Sequence, residues 1–401
     1  MTTISDADVA YLDVLDPHFR PDGPEVTEAR ARSWYARTPF GIMVLRHDAL
    51  SRLLSDRRMR QGSHLILANQ GLVDGPVVDW MNSIILSIEG PDHARLRRLV
   101  SMAFTPRSVT ALRPRMRAIA GELIDRFPPG RVEFMSAFAS PYPASVICEL
   151  LGVPADLRAD VHGWADDLGL AFGYTAVAEL PRIEAALTAL YAATDRLVAS
   201  RRAAPGADVL SGLVAARDEG GERLSDGELR LLVTGLLFAG QDTTHHQLGQ
   251  VLDAFLQHPE QWRLLRDRPD LAAAAVDEVI RLHPSTPVTG RLVVEDLEYD
   301  GVTIPAGTFV QMALRAGNTD PAVFGPDADR FDITVERPAA LTFGAGPHYC
   351  LGAALARAEM TEALQILPRR LGAIAPDGAA HWRPALGITG PTALPIRYTG
   401  W

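Results

Sequence analysis

The chain contains no lysine: all 39 of its basic residues are arginine. That absence removes whole classes of chemistry. No lysine is available to form a Schiff base with pyridoxal phosphate or to sit on the phosphates of a P-loop. Cysteine is nearly absent too, with only Cys148 and Cys350. Two are too few for a disulfide framework, or for an iron–sulfur cluster, which takes about four thiolates. There is no run of about 18 uninterrupted apolar residues, the length a membrane-crossing helix needs. The segment from Met1 to Asp16 is acidic and mixed, without the basic-then-apolar pattern of a signal peptide. Together these absences give the expectation of a cytoplasmic protein without a membrane partner. The net charge of −10 argues against nucleic acid as a partner.

What is present is mostly helical spacing. Apolar periodicity predicts helices over 92–104, 107–127, 143–151, 156–172, 181–202, 226–257, 260–281 and 353–367. Short strand-like runs occur at 41–45, 291–294, 302–304, 308–312 and 394–398. The expected fold is mainly α with a small β-sheet region. No linker or repeat divides the chain, so residues 1–401 read as a single domain.

The pattern over 226–257 predicts one long central helix, opened by a Ser225/Glu228 capping box and stopped by Pro259. At 1.5 Å per residue it would span roughly 48 Å. Ala239-Gly240-Gln241-Asp242-Thr243-Thr244 interrupts its apolar character in the middle. A glycine inside a helix costs about 1 kcal/mol relative to alanine. An acid and two β-branched alcohols add to that cost, and such local violations are where function is expected.

The run Phe343-Gly344-Ala345-Gly346-Pro347-His348-Tyr349-Cys350-Leu351-Gly352 precedes a helix. A cysteine there faces unpaired N–H groups and the positive helix end, which favours thiolate. Cys148, in an apolar run, reads as a packed thiol. The Cys350 run matches the haem-binding signature Phe-Gly-x-Gly-x-His-x-Cys-x-Gly at every fixed position. On those residues the chain resembles the bacterial cytochrome P-450 family, of the kind found in actinobacteria. The resemblance implies that haem lies between the central helix and the helix following the Cys loop, with Cys350 as its iron ligand. It implies that Phe343 and Gly344 surround the sulfur, that His348 meets a haem propionate and that Gly352 allows close approach to the porphyrin. Ala239 and Gly240 would leave room for oxygen and substrate. Asp242 and Thr243 match the acid–alcohol pair that stabilises bound oxygen and relays protons.

Other segments agree. His93 and Arg97 lie one helical turn apart, and the family position assigns both to propionates, with Arg291 as a further propionate arginine. Glu278 and Arg281 match a structural pair completed in the family by a later arginine, here Arg330. The loop Asn318-Thr319-Asp320-Pro321 departs from the common Asn-Arg-Asp-Pro and is given little weight. His245 and His246 are also unusual, and are expected to be packed or solvated.

The resemblance implies haem b as cofactor, with O₂ and a small organic substrate. No flavin or iron–sulfur motif is present, so electrons are expected from a ferredoxin and its reductase. Arginines between 95 and 117 form a candidate docking patch. Segments 61–90, 165–182, 235–243, 285–291 and 386–391 are expected to wall the substrate with apolar side chains such as Ile85, Phe172 and Leu236. His64, Asn69, Asn82 and Thr289 are polar candidates there. The expected reaction is O₂-dependent hydroxylation or epoxidation of a biosynthetic intermediate, such as a polyketide, peptide or aromatic acid, free or carrier-bound. A peroxide-driven peroxygenase and a non-catalytic haem or carrier-protein binding module are the rival readings. Neither needs the acid–alcohol pair.

Overall fold

Prolines set many of the helix boundaries. In the computed structural model, which describes residues 2–4, 8–62, 65–102, 104–173, 176–216 and 221–400, helices α1 (Pro24–Arg32), α3 (Pro76–Ser83), α5 (Pro106–Ile124), α6 (Pro141–Leu150) and α11 (Pro259–Asp267) all start on proline. Proline lacks only an N–H that the first turn leaves unpaired, and its fixed φ suits that position. The other helices of eight or more residues are α2 (His47–Leu54), α4 (Gly90–Ser101), α7 (Arg158–Gly169), α8 (Leu180–Ala203), α9 (Asp226–Ala239), α10 (Asp242–Gln257), α12 (Ala272–Leu282) and α13 (Ala353–Leu371). None of the described helices is long and apolar enough to cross a membrane.

The β structure is small, as expected. Strands β1 (Tyr35–Thr38), β2 (Gly41–Val44), β3 (Met59–Gln61), β4 (Thr289–Val293) and β5 (Phe309–Met312) form one sheet in the order β1-β2-β5-β4-β3. Only β2 and β5 run parallel. A short pair, β6 (His381–Trp382) and β7 (Pro391–Ala393), lies near the C-terminus. Strands β1, β3, β6 and β7 escaped the sequence reading, because two to four residues are too few to show a period of two.

Two predicted helices are broken. The 226–257 segment divides into α9 and α10, although its capping box is present as expected. A Cβ on Gly240 would lie 2.7 Å from the Ile147 side chain of α6 and 2.9 Å from Leu236 O, so the helices meet closely here and a larger residue would require a shift. The 260–281 segment likewise divides into α11 and α12, with Pro269 opening a separate 3₁₀ turn.

Helix α13 packs on α5, α11 and α12. Its buried Glu362 accepts from Arg113 and Arg117 of α5. Arg115 pairs with Glu122 and Glu149, and Arg95 with Glu228. The arginine patch read from the sequence is therefore largely neutralised. Apart from Glu122, on the same helix, the acids that pair with it come from distant segments, which a local charge count does not see.

Glu278 and Arg281 form a buried pair through two hydrogen bonds of 2.7 and 2.8 Å. The later arginine enters differently from expectation. Only the Arg330 carbonyl accepts from Arg281, at 3.4 Å; its guanidinium is 67% exposed and lies 3.7 Å from Asp332. Asn318 corrects a second reading. It is fully buried, its carbonyl accepts from Arg281, and its side chain bonds Leu341 N and Thr342 Oγ1. The loop thus ties Arg281 to the segment leading into Cys350.

Candidate active site

The Cys350 loop is folded by its own backbone. Cys350 N–H donates to Phe343 O at 2.8 Å, Gly344 N–H to Leu341 O at 2.7 Å and Tyr349 N–H to Gly346 O at 3.1 Å. Gly346 has φ +68°, and a Cβ there would lie 2.9 Å from Ser55 Cα and 3.0 Å from Leu54 O. Only glycine lets the loop rest on the end of α2. Arg357 lies 4.5 Å over the Phe343 ring and pairs with Asp277, which fixes that ring.

Gly352 caps α13, and its N–H and that of Ala353 bond to the Cys350 thiol. The sequence expectation was that this placement yields a thiolate. Burial outweighs it and pushes the thiol up, against those N–H groups and the charges of Arg97 and Arg357. A thiolate therefore needs a further positive partner, which a bound metal ion supplies. Cys148 is buried as expected, and burial pushes its thiol up to about 11.

The predicted propionate residues come together beside this loop. His93, buried on α4, has its ring 4.5 Å from that of His348. Arg97, one turn on, donates to Tyr349 O, next to Cys350. Arg291 on β4 is 3% exposed and bonds Gln61 Oε1 at 3.0 Å and Gly290 O at 2.8 Å. Burial lowers all four, Arg291 to about 10. Glu89 and Gln61 were missed by the sequence reading. Glu89 precedes α4 and its carboxylate bonds His348 Nε2 at 3.0 Å and Gln61 N–H at 2.7 Å. Nothing local marks either residue, since their partners lie far along the chain.

The acid–alcohol pair opens α10. Asp242 is wholly buried; one carboxylate oxygen accepts from Arg383 at 3.2 Å and the other lies 3.7 Å from His246 Nε2. Arg383 follows β6, 141 residues away, and had no sequence signal. Beyond it stand His162 and Asp166 on α7. His162 bonds Gln241 and Ser140, and lies 3.9 Å from the Asp166 carboxylate. Burial raises Asp166, reinforced by Asp242. Thr243 Oγ1 donates to Ala239 O at 3.4 Å. His245 and His246 are packed rather than solvated, with stacked rings, and burial pushes both down to about 3.

Ala239 is exposed and Thr243 half-buried, although Leu236, Leu237, Phe238 and Asp242 around them are buried. Beside them Phe172 stacks on Phe238 at 4.9 Å, with Trp80 edge-on to both. Ile85, Val288 and Ile388 stay partly accessible, while Asn69 and Asn82 are exposed. Thr289 lies 3.5 Å from Arg291, and His64 falls outside the described residues.

These residues fit a haem. Arg291 Nε is buried without a partner, and one guanidinium, Arg291, and two imidazoles share a single carboxylate, Glu89, with Arg97 nearby against the Cys350 loop, which suits the arrival of a dianionic group. A Cβ on Gly352 would meet no atom within 4 Å, so the loop beside the sulfur has free space for a flat ring.

Comparison with known proteins agrees. The sequence model of the family described as "Cytochrome P450" matches residues 188–371. The chain is 42% identical to luteothin monooxygenase of Streptomyces thioluteus, over 98% of this chain and 97% of that one. It is 38% identical to mycinamicin IV hydroxylase/epoxidase of Micromonospora griseorubida, over 90% and 91%. Among solved structures it resembles cytochrome P450 CYP109Q5 from Chondromyces apiculatus, with TM-score 0.87 and 34% identity over 98% and 99% of the two chains. It also resembles P450BioI in complex with an acyl carrier protein ligated to hexadec-9Z-enoic acid, with TM-score 0.86 and 30% identity over 93% and 97%. The chain belongs to the cytochrome P450 family, whose cofactor is haem b with a cysteine thiolate on the iron, and it is a monooxygenase.

Proposed function

We propose that the chain hydroxylates or epoxidises a largely apolar secondary-metabolite intermediate, with Cys350 as the iron ligand. The observation that carries the assignment is Arg97 against the Cys350 loop, with His93, His348 and Arg291 gathered beside it. Haem, when bound, supplies the oxygen-activating chemistry, and thiolate donation favours O–O cleavage. The chain's own residues do the rest. Arg97 and Arg291 clamp the carboxylates, with His93 and His348 as further donors. Asp242 is placed to pass a proton on to Thr243, the next residue, whose hydroxyl turns from Ala239 O to receive it. Arg383, His162 and Asp166 connect Asp242 towards the surface.

The Phe172/Phe238 stack and Trp80 give the substrate an apolar wall. Relatives named for mycinamicin and luteothin support a polyketide-type intermediate, and the acyl-carrier-protein complex supports a carrier-bound form as an alternative to a free one. Electrons come from a separate ferredoxin and its reductase. Because Arg113, Arg115 and Arg117 are already paired, that partner docks without relying on them.

Reduction under carbon monoxide tests the ligand: a Soret band at the thiolate position is expected, and one at the histidine-ligated position overturns it. Asp242→Asn should slow O₂-dependent turnover by about 10²-fold or more while substrate binding persists. Unchanged O₂-dependent turnover, or turnover with peroxide alone, would sink the proton-relay reading.

A further inference from the structure

The geometry points to a second metal site, for a divalent cation of the zinc class, formed by Asp242, His245 and His246 on the buried face of α10. A ligand atom from each lies within 4.8 Å of the others, and among the described residues no other group of three converges in this way. The spacing i, i+3, i+4 puts all three on one helix face.

Four buried atoms in this cluster have no hydrogen-bond partner: Asp242 Oδ1, His245 Nδ1, His245 Nε2 and His246 Nε2. Buried polar atoms left unpaired are uncommon and costly, and here they sit on three residues that each offer a ligand atom within 4.8 Å of the others. The surroundings are those of metal ligands. His246 Nδ1 is 3.1 Å from the carbonyl of Pro391, so Nδ1 carries the proton and Nε2 presents its lone pair. The second Asp242 oxygen is held by Arg383 at 3.2 Å, which leaves Oδ1 for a metal. Oδ1 and His246 Nε2 are 3.7 Å apart. Zinc–nitrogen bonds of about 2.0–2.1 Å put tetrahedral ligands about 3.3 Å apart, so closure takes side-chain shifts of about 1 Å. A water or small anion completes the fourth position. Two imidazoles and one carboxylate suit zinc better than magnesium or calcium, which prefer all-oxygen shells.

Arg383 and His162, which border the site, are 23% and 25% exposed in their side chains. Its consequence follows from Asp242 and rests on the reading of that residue as proton donor: a coordinated carboxylate cannot hold a proton, so zinc would inhibit oxygen-dependent turnover. The site itself stands on geometry alone.

Isothermal titration of the haem-loaded protein with Zn²⁺ tests binding separately from turnover. One equivalent is expected in the unmodified protein. His245→Gln/His246→Gln should weaken it by more than about 10-fold, with the haem spectrum and melting in chelator unchanged. Arg383→Gln removes a competing positive charge and should tighten binding by about 10-fold. X-ray absorption at the zinc edge should show two imidazoles and one carboxylate. Equal affinity in the unmodified and doubly substituted proteins, or no retained zinc, overturns the proposal. If the double variant does not fold, Arg383→Gln decides, and unchanged zinc affinity in it counts against Asp242 as a ligand.

Discussion

The two arginines of the Glu278 network give the sharpest test, because resemblance and structure disagree about one of them. Arg281 is 1% exposed, pairs bidentately with Glu278, and donates to the carbonyls of Asn318, Ala328 and Arg330. Arg281→Ala leaves Glu278 as an uncompensated charge at 3% exposure and strips three carbonyls, two of them in buried contacts, of a donor. Breaking a buried pair costs about 3–5 kcal/mol, a large part of the ~5–15 kcal/mol that holds a typical fold. The Arg330 side chain is 67% exposed with one loose partner, so its removal should cost less than about 1 kcal/mol. Its carbonyl, the part that is used, survives the substitution. Urea titrations at equal haem loading would measure both. If Arg330→Ala proved as costly as Arg281→Ala, or Arg281→Ala cost below about 1 kcal/mol, the reasoning would be refuted.

Acid should destabilise the protein early. His245 and His246 are depressed to about 3 and His283 to about 4, against an ordinary value near 6.5. The unfolded chain takes up these protons first, so stability present above pH 6.5 is lost as pH falls towards 4. Each group contributes on the order of 2 kcal/mol between pH 7 and 5, and an unchanged urea midpoint across that interval would contradict the burial argument. Glu359 behaves in the opposite sense. It is fully buried with neither carboxylate oxygen paired, and burial holds it well above the ordinary range. Stability should fall as pH rises above about 4.5, where the unfolded chain ionises and the native one does not. Glu359→Gln should therefore raise the melting temperature at pH 8 and flatten that slope. Gly346→Ala should lower haem retention more than Gly344→Ala. Both have positive φ, but only the first adds contacts under 3.0 Å with the α2 end, whereas the second meets nothing nearer than 3.7 Å; equal haem release from the two would refute this.

Much of the site could be read from the chain because its signals are local. The Cys350 loop is a contiguous run whose glycines and cysteine do related work. His93 and Arg97 announce themselves by one helical turn. What the sequence concealed was pairing over distance. Arg383 reaches Asp242 across 141 residues, and Glu89 reaches His348 across 259. The same blindness produced the overestimated arginine patch, since Glu362 pairs with both Arg113 and Arg117 from 249 and 245 residues away and offsets one of their two charges. The break between α9 and α10 was only half visible: residues 239–244 interrupt the apolar character, but the close approach of Ile147 to Gly240 is a long-range contact with no local signal.

That break has a mechanical consequence. Helix α9 packs on α7 and α8, while α10 packs on α11, α12 and β7, touches α7 and makes no comparable contact with α8. A continuous rod would transmit any displacement of α8 straight into Asp242 and Thr243. Gly240 and Gln241 are a joint, where a swing of α9 is absorbed in the torsions of two residues between helices. The α8 side can shift for a bulky guest while the acid–alcohol pair keeps its place beside α7, which holds Gln241 through His162.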